Sequence, residues 1–160
     1  VKNQNDSSKF KIIDPFNGQA DLKNKLVRAV GEPEKRFGED ALRLMRAVRF
    51  AAELDFQIEE QTSEAIKESA SLLEKIAKER VRDELVKIIM SPGHGPYKGM
   101  LQLEALGLLQ YIIPELREGI GVTQNKHHIY TVWEHNLLAL DYAVKKIIPW
   151  KFAWPLCFMI

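Results

Sequence analysis

Among its 160 residues the chain has a single cysteine, Cys157, which excludes an internal disulfide framework and fits a reducing compartment. It also lacks a dominant sign of charge: 23 Lys and Arg against 22 Asp and Glu leave a formal net charge of +1. Bulk electrostatics therefore make no case for nucleic acid, and any basic surface has to come from local clustering. No window approaches the run of about 18 uncharged apolar residues that a membrane helix needs, and the polar opening "VKNQNDSSKF" carries no apolar leader. The expectation is a cytoplasmic protein with no membrane span. Low-complexity tracts, internal repeats and sustained heptads are likewise absent.

What is present is a 46% hydrophobic content, enough to bury a core in a length that allows one large or two small domains. Both ends read as unfinished. The chain opens on polar residues leading into a strand-like "FKII" and stops inside the apolar run "FAWPLCFMI", whereas a domain seldom ends on its most hydrophobic segment. A piece of a longer protein is the expectation.

Helical spacing dominates the interior. After "FKIID" the turn formers of "DPFNG" predict one short strand and a tight turn. "ADLKNKLVRAVG" then predicts a short amphipathic helix ended by Gly31 and Pro33, and a second helix is predicted from Gly38 to about Phe56, with Glu39 and Asp40 in its first turn. "EEQTSEAIKESASLL" makes a third, polar helix, and "EKIAKERVRDELVKIIM" a longer one stopped by "SPGHGP". "YKGMLQLEALGLLQYIIPEL" reads as two short helices broken near Gly107 and Pro114, "REGIGVTQNKHH" as a loop, and "YTVWEHNLLALDYAVKKI" as a last helix before Pro149. The fold class is mainly α.

The second helix carries the most distinctive pattern. At 100° per residue Leu44, Met45, Val48, Ala51 and Ala52 share one arc, while Glu39, Arg43, Arg46 and Arg49 gather opposite. One reading is a solvated face in which Glu39 and Arg43 form an i,i+4 ion pair of about 0.2–0.5 kcal/mol. The other uses the chemistry: a guanidinium offers paired donors and a carboxylate acceptors, so Asp40 and Arg43 together suit the hydrogen-bonding edge of a nucleobase. Arg46 and Arg49 suit phosphates.

Three stretches together, "DPFNGQADLKNKLVRAVG" with Asp14, Gly18, Asp21, Leu22 and Arg28, then "EDALRLMRAVRFAAEL", then "KERVRDELVKII", resemble the class II bacterial CCA-adding tRNA nucleotidyltransferase and poly(A) polymerase family. The resemblance covers most of the chain and implies a strand-turn remnant of a nucleotidyltransferase head over 1–31, nucleotide-selecting neck helices over 32–92, a helical body over 93–126, and the start of an HD-like helical domain over 127–160. It implies that Glu39, Asp40 and Arg43 act as an amino-acid template pairing with incoming CTP or ATP, with Arg46 and Arg49 turned toward nucleotide and RNA. Asp14, Gly18, Asp21, Arg28, Arg80, Arg82, Asp83 and Glu84 would be supporting residues, the last four orienting the template helix; their bland reading is an interhelical ion-pair network. Asp14 and Asp21 read as turn and helix N-cap groups. The implied partners are the tRNA 3′ end, nucleoside triphosphates and an N-terminal catalytic domain.

The family's metal-binding carboxylate pair is expected before residue 1, because no Asp-x-Asp occurs here and "GHGPYKG" has no acids to replace it. Mg²⁺ belongs to the intact enzyme, with no ligands and no catalytic residue in this chain, which is therefore expected to be inactive alone. "HHIYTVWEHNLLAL" resembles the opening of an HD phosphohydrolase domain, His135 being its first ligand, with no complete metal site expected and His127 and His128 read as loop or core residues. Two other classes remain open: a stand-alone helical RNA- or protein-binding module, and the truncated start of an HD phosphohydrolase.

Overall fold

The computed structural model describes residues 13–123 and 129–147. Phe10, Lys11 and Ile12 of the predicted "FKII" strand, together with His127 and His128, fall outside these residues, as does Cys157. The chain is mainly α. Its helices are α1 (Gly18–Asn24), α2 (Pro33–Glu39), α3 (Leu42–Leu54), α4 (Glu60–Ser69), α5 (Lys78–Ile89), α6 (Gly95–Ala105), α7 (Leu109–Ile112) and α8 (Val132–Ile147). Single 3₁₀ stretches, Ala70–Lys75 and Pro114–Gly119, follow α4 and α7.

The fold is arranged around α3. Its predicted apolar arc is the core: Leu44, Met45 and Val48 are fully buried and Ala51 and Ala52 nearly so, packed between α5 and α6. Burying leucine- or methionine-sized side chains contributes about 1.5–3 kcal/mol each. The α3–α5–α6 packing depends on a missing side chain. A Cβ at Gly99 of α6 would run into Cγ2 of the fully buried Ile88 on α5. Ala is the better helix former by up to about 1 kcal/mol, but overpacking a filled core costs about 1–3 kcal/mol. Gly99→Ala is therefore expected to lower stability by about 1–2 kcal/mol net, read as a lower urea midpoint at unchanged m-value.

Two predicted helices have different limits. The segment expected to be one helix through Gly31 stops at Asn24, with Lys25 in a left-handed conformation, and Leu26–Val27 continues as a strand, β1. β1 pairs in parallel with β2 (Gln57–Ile58), Leu26 opposite Gln57 and Val27 opposite Ile58. Two residues at a time are below what hydrophobic periodicity can reveal. The helix expected from Gly38 is likewise two elements, α2 and α3, broken at Asp40. α8 begins as read, and its first turn is locked by a reciprocal box: Thr131 N donates to Glu134 Oε2, and Glu134 N donates to Thr131 Oγ1.

Candidate functional site

The α2–α3 break builds the site. Asp40 has extended backbone angles, and its Oδ1 accepts from Leu42 N at 3.1 Å, capping the first turn of α3. Its Oδ2 accepts from Arg80 Nη2 of α5 at 3.0 Å. A short side chain that bonds the neighbouring backbone favours caps over helix interiors, so Asp40 is where a continuous helix fails. Glu39 thus closes α2, and neither acid lies in the first turn of one long helix.

Glu39 carries two guanidiniums. Its Oε2 accepts from Arg43 Nη1 and from Arg36 Nη1. Arg43 Nη1 also donates to the Arg36 carbonyl at 2.9 Å, and Arg36 Nε donates to the Val30 carbonyl at 3.1 Å. Among the described residues, the side-chain hydrogen bonds of Arg43 all use one nitrogen, Nη1. Its Nε and Nη2, the paired-donor edge, have no protein acceptor among the described residues. Arg36 is the member that sequence reading missed; it binds Glu39 at i,i+3, a spacing that marks it as a neighbour.

Arg28, Arg36, Arg43 and Arg46 line a cavity of about 350 Å³ together with Phe37 and Phe50. Arg28 is oriented by the Asp21 carboxylate, with Nε 3.1 Å from Oδ2 and Nη2 3.1 Å from Oδ1. Asp21 therefore sits inside α1 as an ion-pair partner and not as a helix cap. The cap is Asp14, whose two oxygens accept from Gly18 N and Gln19 N at 2.8 and 2.9 Å. A second cavity of about 430 Å³ shares Arg28 and Phe50, and its apolar lining includes Leu22, Leu54 and Phe56.

Arg49 stands apart from the other arginines. It is only 14% exposed, and its Nε lies 3.1 Å from Oε2 of the buried Glu84, without hydrogen-bond alignment. Glu53 and Lys87 complete this group. The Glu53 carboxyl is pushed up by burial against the pull of Arg49. The four α5 residues singled out from sequence therefore divide. Glu84 reaches Arg49 of α3 and Arg80 reaches Asp40 at the break before it, whereas Arg82 and Asp83 pair with each other at 2.9 Å on an exposed surface. His135 is exposed in the first turn of α8.

Charge partners set the acid response. Arg43 and then Arg36 hold the Glu39 carboxyl below its ordinary 4.5. Burial pushes Asp40 up, but the Leu42 amide and Arg80 outweigh it and hold it below 3.8. Asp14 is lowered by the Gln19 and Gly18 amides. Groups whose folded values are lowered add stability above their unfolded values, and it is lost as pH falls through the folded ones. Urea midpoints are expected to fall below about pH 4 and, because two such groups are removed, to fall less steeply in a Glu39→Gln, Asp40→Asn variant.

A family described as "Probable RNA and SrmB- binding site of polymerase A" matches residues 55–120. The CCA-adding enzyme of Lactobacillus helveticus is 59% identical over 81 residues, which is 51% of this chain and 20% of that protein. The A-adding tRNA nucleotidyltransferase of Deinococcus radiodurans is 44% identical over 135 residues, 81% of this chain and 30% of its own length. Among solved structures, the Bacillus stearothermophilus CCA-adding enzyme in complex with CTP aligns with a TM-score of 0.60 at 43% identity, covering 62% of this chain and 25% of that one. A tRNA nucleotidyltransferase complexed with a primer tRNA and an incoming ATP analog aligns at 0.61 and 27% identity, covering 86% and 35%. The chain thus spans about a fifth to a third of the length of these relatives. On the combined sequence and structural likeness, it belongs to the class II CCA-adding tRNA nucleotidyltransferase family.

Proposed function

We propose that this chain carries the nucleotide-selecting part of a tRNA nucleotidyltransferase, in which Asp40 and Arg43 read the base edge of CTP or ATP at the tRNA 3′ end. The observation that carries it is the division of labour on Arg43: Glu39 occupies Nη1, and Nε and Nη2 remain as a planar donor pair beside the Asp40 acceptor. Arg80 holds that acceptor in place. Arg46 meets phosphate, while Arg49 and Glu84 set the position of α3 against α5. Solved relatives in complex with CTP, with ATP and with a primer tRNA support the substrates.

In this reading residues 1–31 end a nucleotidyltransferase head, 32–92 form the neck, 93–126 the body, and 127–160 open an HD-like domain. Bond formation belongs to a catalytic domain whose carboxylates hold Mg²⁺. The acids beside the cleft do not fit that ion: Asp21, Glu39 and Asp40 each neutralise a guanidinium or cap backbone. Selection is this chain's contribution. A catalytic domain would find apolar surface next to the cleft, where Phe16, Leu22 and Leu54 are 58%, 63% and 50% exposed.

The test is binding of CTP, ATP, GTP and UTP to the full chain and to Asp40→Ala and Arg43→Ala at two salt concentrations. A preference for CTP and ATP that both variants abolish is the expected result. Equal, salt-sensitive binding of all four, tightened by Asp40→Ala, would replace the reading with a phosphate-binding module.

A further inference from the structure

Phe50 takes no part in the base-edge reading, yet its ring stands on the wall shared by both cavities and is 37% exposed. Exposure of one aromatic is ordinary by itself. What distinguishes this ring is its bracing: the Arg49 guanidinium carbon lies 4.5 Å from the ring centroid and that of Arg46 5.8 Å. Arg49 is in turn held by Glu84 and Glu53, so the ring leans on a fixed neighbour. Arg46 differs. It is exposed, and among the described residues Phe50 is its only partner.

A braced, open aromatic beside a guanidinium with no carboxylate partner matches one ligand class. Nucleobases stack on aromatic rings whatever their identity, and their phosphates pair with guanidinium. The spacing then says which base. Phe50 follows Arg43 by seven helical positions, about 10 Å along the axis at 1.5 Å per residue, or roughly three stacking steps of 3.4 Å. That separation leaves room at the ring for a second base beside the one engaged by Asp40 and Arg43, one belonging to the strand being extended.

We propose that Phe50 and Arg46 form a stacking subsite for a nucleobase of a single-stranded RNA 3′ end, Phe50 taking the base and Arg46 its phosphate. This rests on the proposed function for the identity of the strand and not for the geometry of the subsite.

The test uses the full chain and an RNA hairpin with a single-stranded 3′ overhang containing 2-aminopurine, whose emission drops on stacking. Quenching on binding is expected for the parent and for Phe50→Tyr. Phe50→Leu is expected to lose the quench and to bind roughly 5- to 150-fold more weakly, the range of one base–aromatic stack. Arg46→Gln is expected to weaken binding with a shallower salt dependence. Urea midpoints of the variants show that each is folded. Phe50→Leu matching the parent in quench and affinity, or no binding of the hairpin by the parent, overturns the subsite. The nucleotide panel scores the base-edge reading separately: quenching that follows Phe50 with no CTP or ATP preference keeps the subsite and removes that reading.

Discussion

Arg43→Lys is expected to cut the preference for CTP over UTP and for ATP over GTP about 5- to 150-fold, the equivalent of the 1–3 kcal/mol carried by a bidentate base contact. The charge is kept, so the loss isolates geometry. In the parent, Glu39 takes Nη1 of Arg43 and leaves the Nε–Nη2 edge for a ligand. A lysine ammonium drawn to Glu39 has no second, rigidly placed pair of donors to offer. Arg43→Ala removes the charge as well and is expected to lower the affinity for all four nucleotides in addition to the preference. Arg80→Gln is the comparison that tests positioning: it leaves the template residues in place but frees one Asp40 oxygen, so a smaller loss of preference at nearly unchanged affinity is expected. Reduced affinity with intact preference in Arg43→Lys would make Arg43 a phosphate ligand.

Arg49→Leu is expected to cost about 3–5 kcal/mol of folding stability, the usual penalty for removing one partner of a buried ion pair. That is a large share of the roughly 5–15 kcal/mol that holds a domain together. The Glu84 side chain is 3% exposed, and its compensation comes from Arg49 at 3.1 Å and Lys87 at 3.0 Å. Removing Arg49 leaves a buried carboxylate with only the Lys87 ammonium, which is itself half exposed. The double variant Arg49→Leu, Glu84→Leu is expected to recover most of the loss, because the desolvation cost disappears with both charges. Equilibrium urea unfolding of the two variants measures both values. A single-variant loss below about 1 kcal/mol would show that Lys87 suffices for Glu84.

The contrast between Arg43 and Arg49 shows how far a sequence can be read here. Periodicity found the buried arc of α3 because apolar burial repeats with the helix, and every residue of that arc is in the core. The same wheel put Arg43, Arg46 and Arg49 on one face. It had no means of knowing that Glu84, 35 positions after Arg49, would turn one of them inward. The break at Asp40 was hidden for a related reason: helical spacing runs through it, and only the pairing of its carboxylate with the Leu42 amide and Arg80 reveals that the chain changes direction. Family likeness named Arg80, Arg82, Asp83 and Glu84 together, and geometry separates the two that hold Asp40 and Arg49 from the two that pair with each other. Phe50 owes its place in the cavity to neighbours brought together by folding, whereas Arg36 was within reach of sequence reading through its i,i+3 spacing to Glu39.

The small parallel clasp of β1 on β2 has a kinetic meaning. It joins Leu26 to Gln57, 31 positions later, and the chain between them holds both α2 and α3. Closing so long a loop for two residue pairs, flanked by the bonds from Gln57 N to the Lys25 carbonyl and from Glu59 N to the Val27 carbonyl, is entropically unfavourable until the intervening helices are already packed. The clasp is therefore expected to close late, after α3 has found α5 and α6, and to open early in local unfolding. Arg28 lies directly after β1 and faces the arginine cleft, so this small tie adjoins the proposed binding surface. Opening that tie would loosen one wall of the cleft while leaving the α3 core intact.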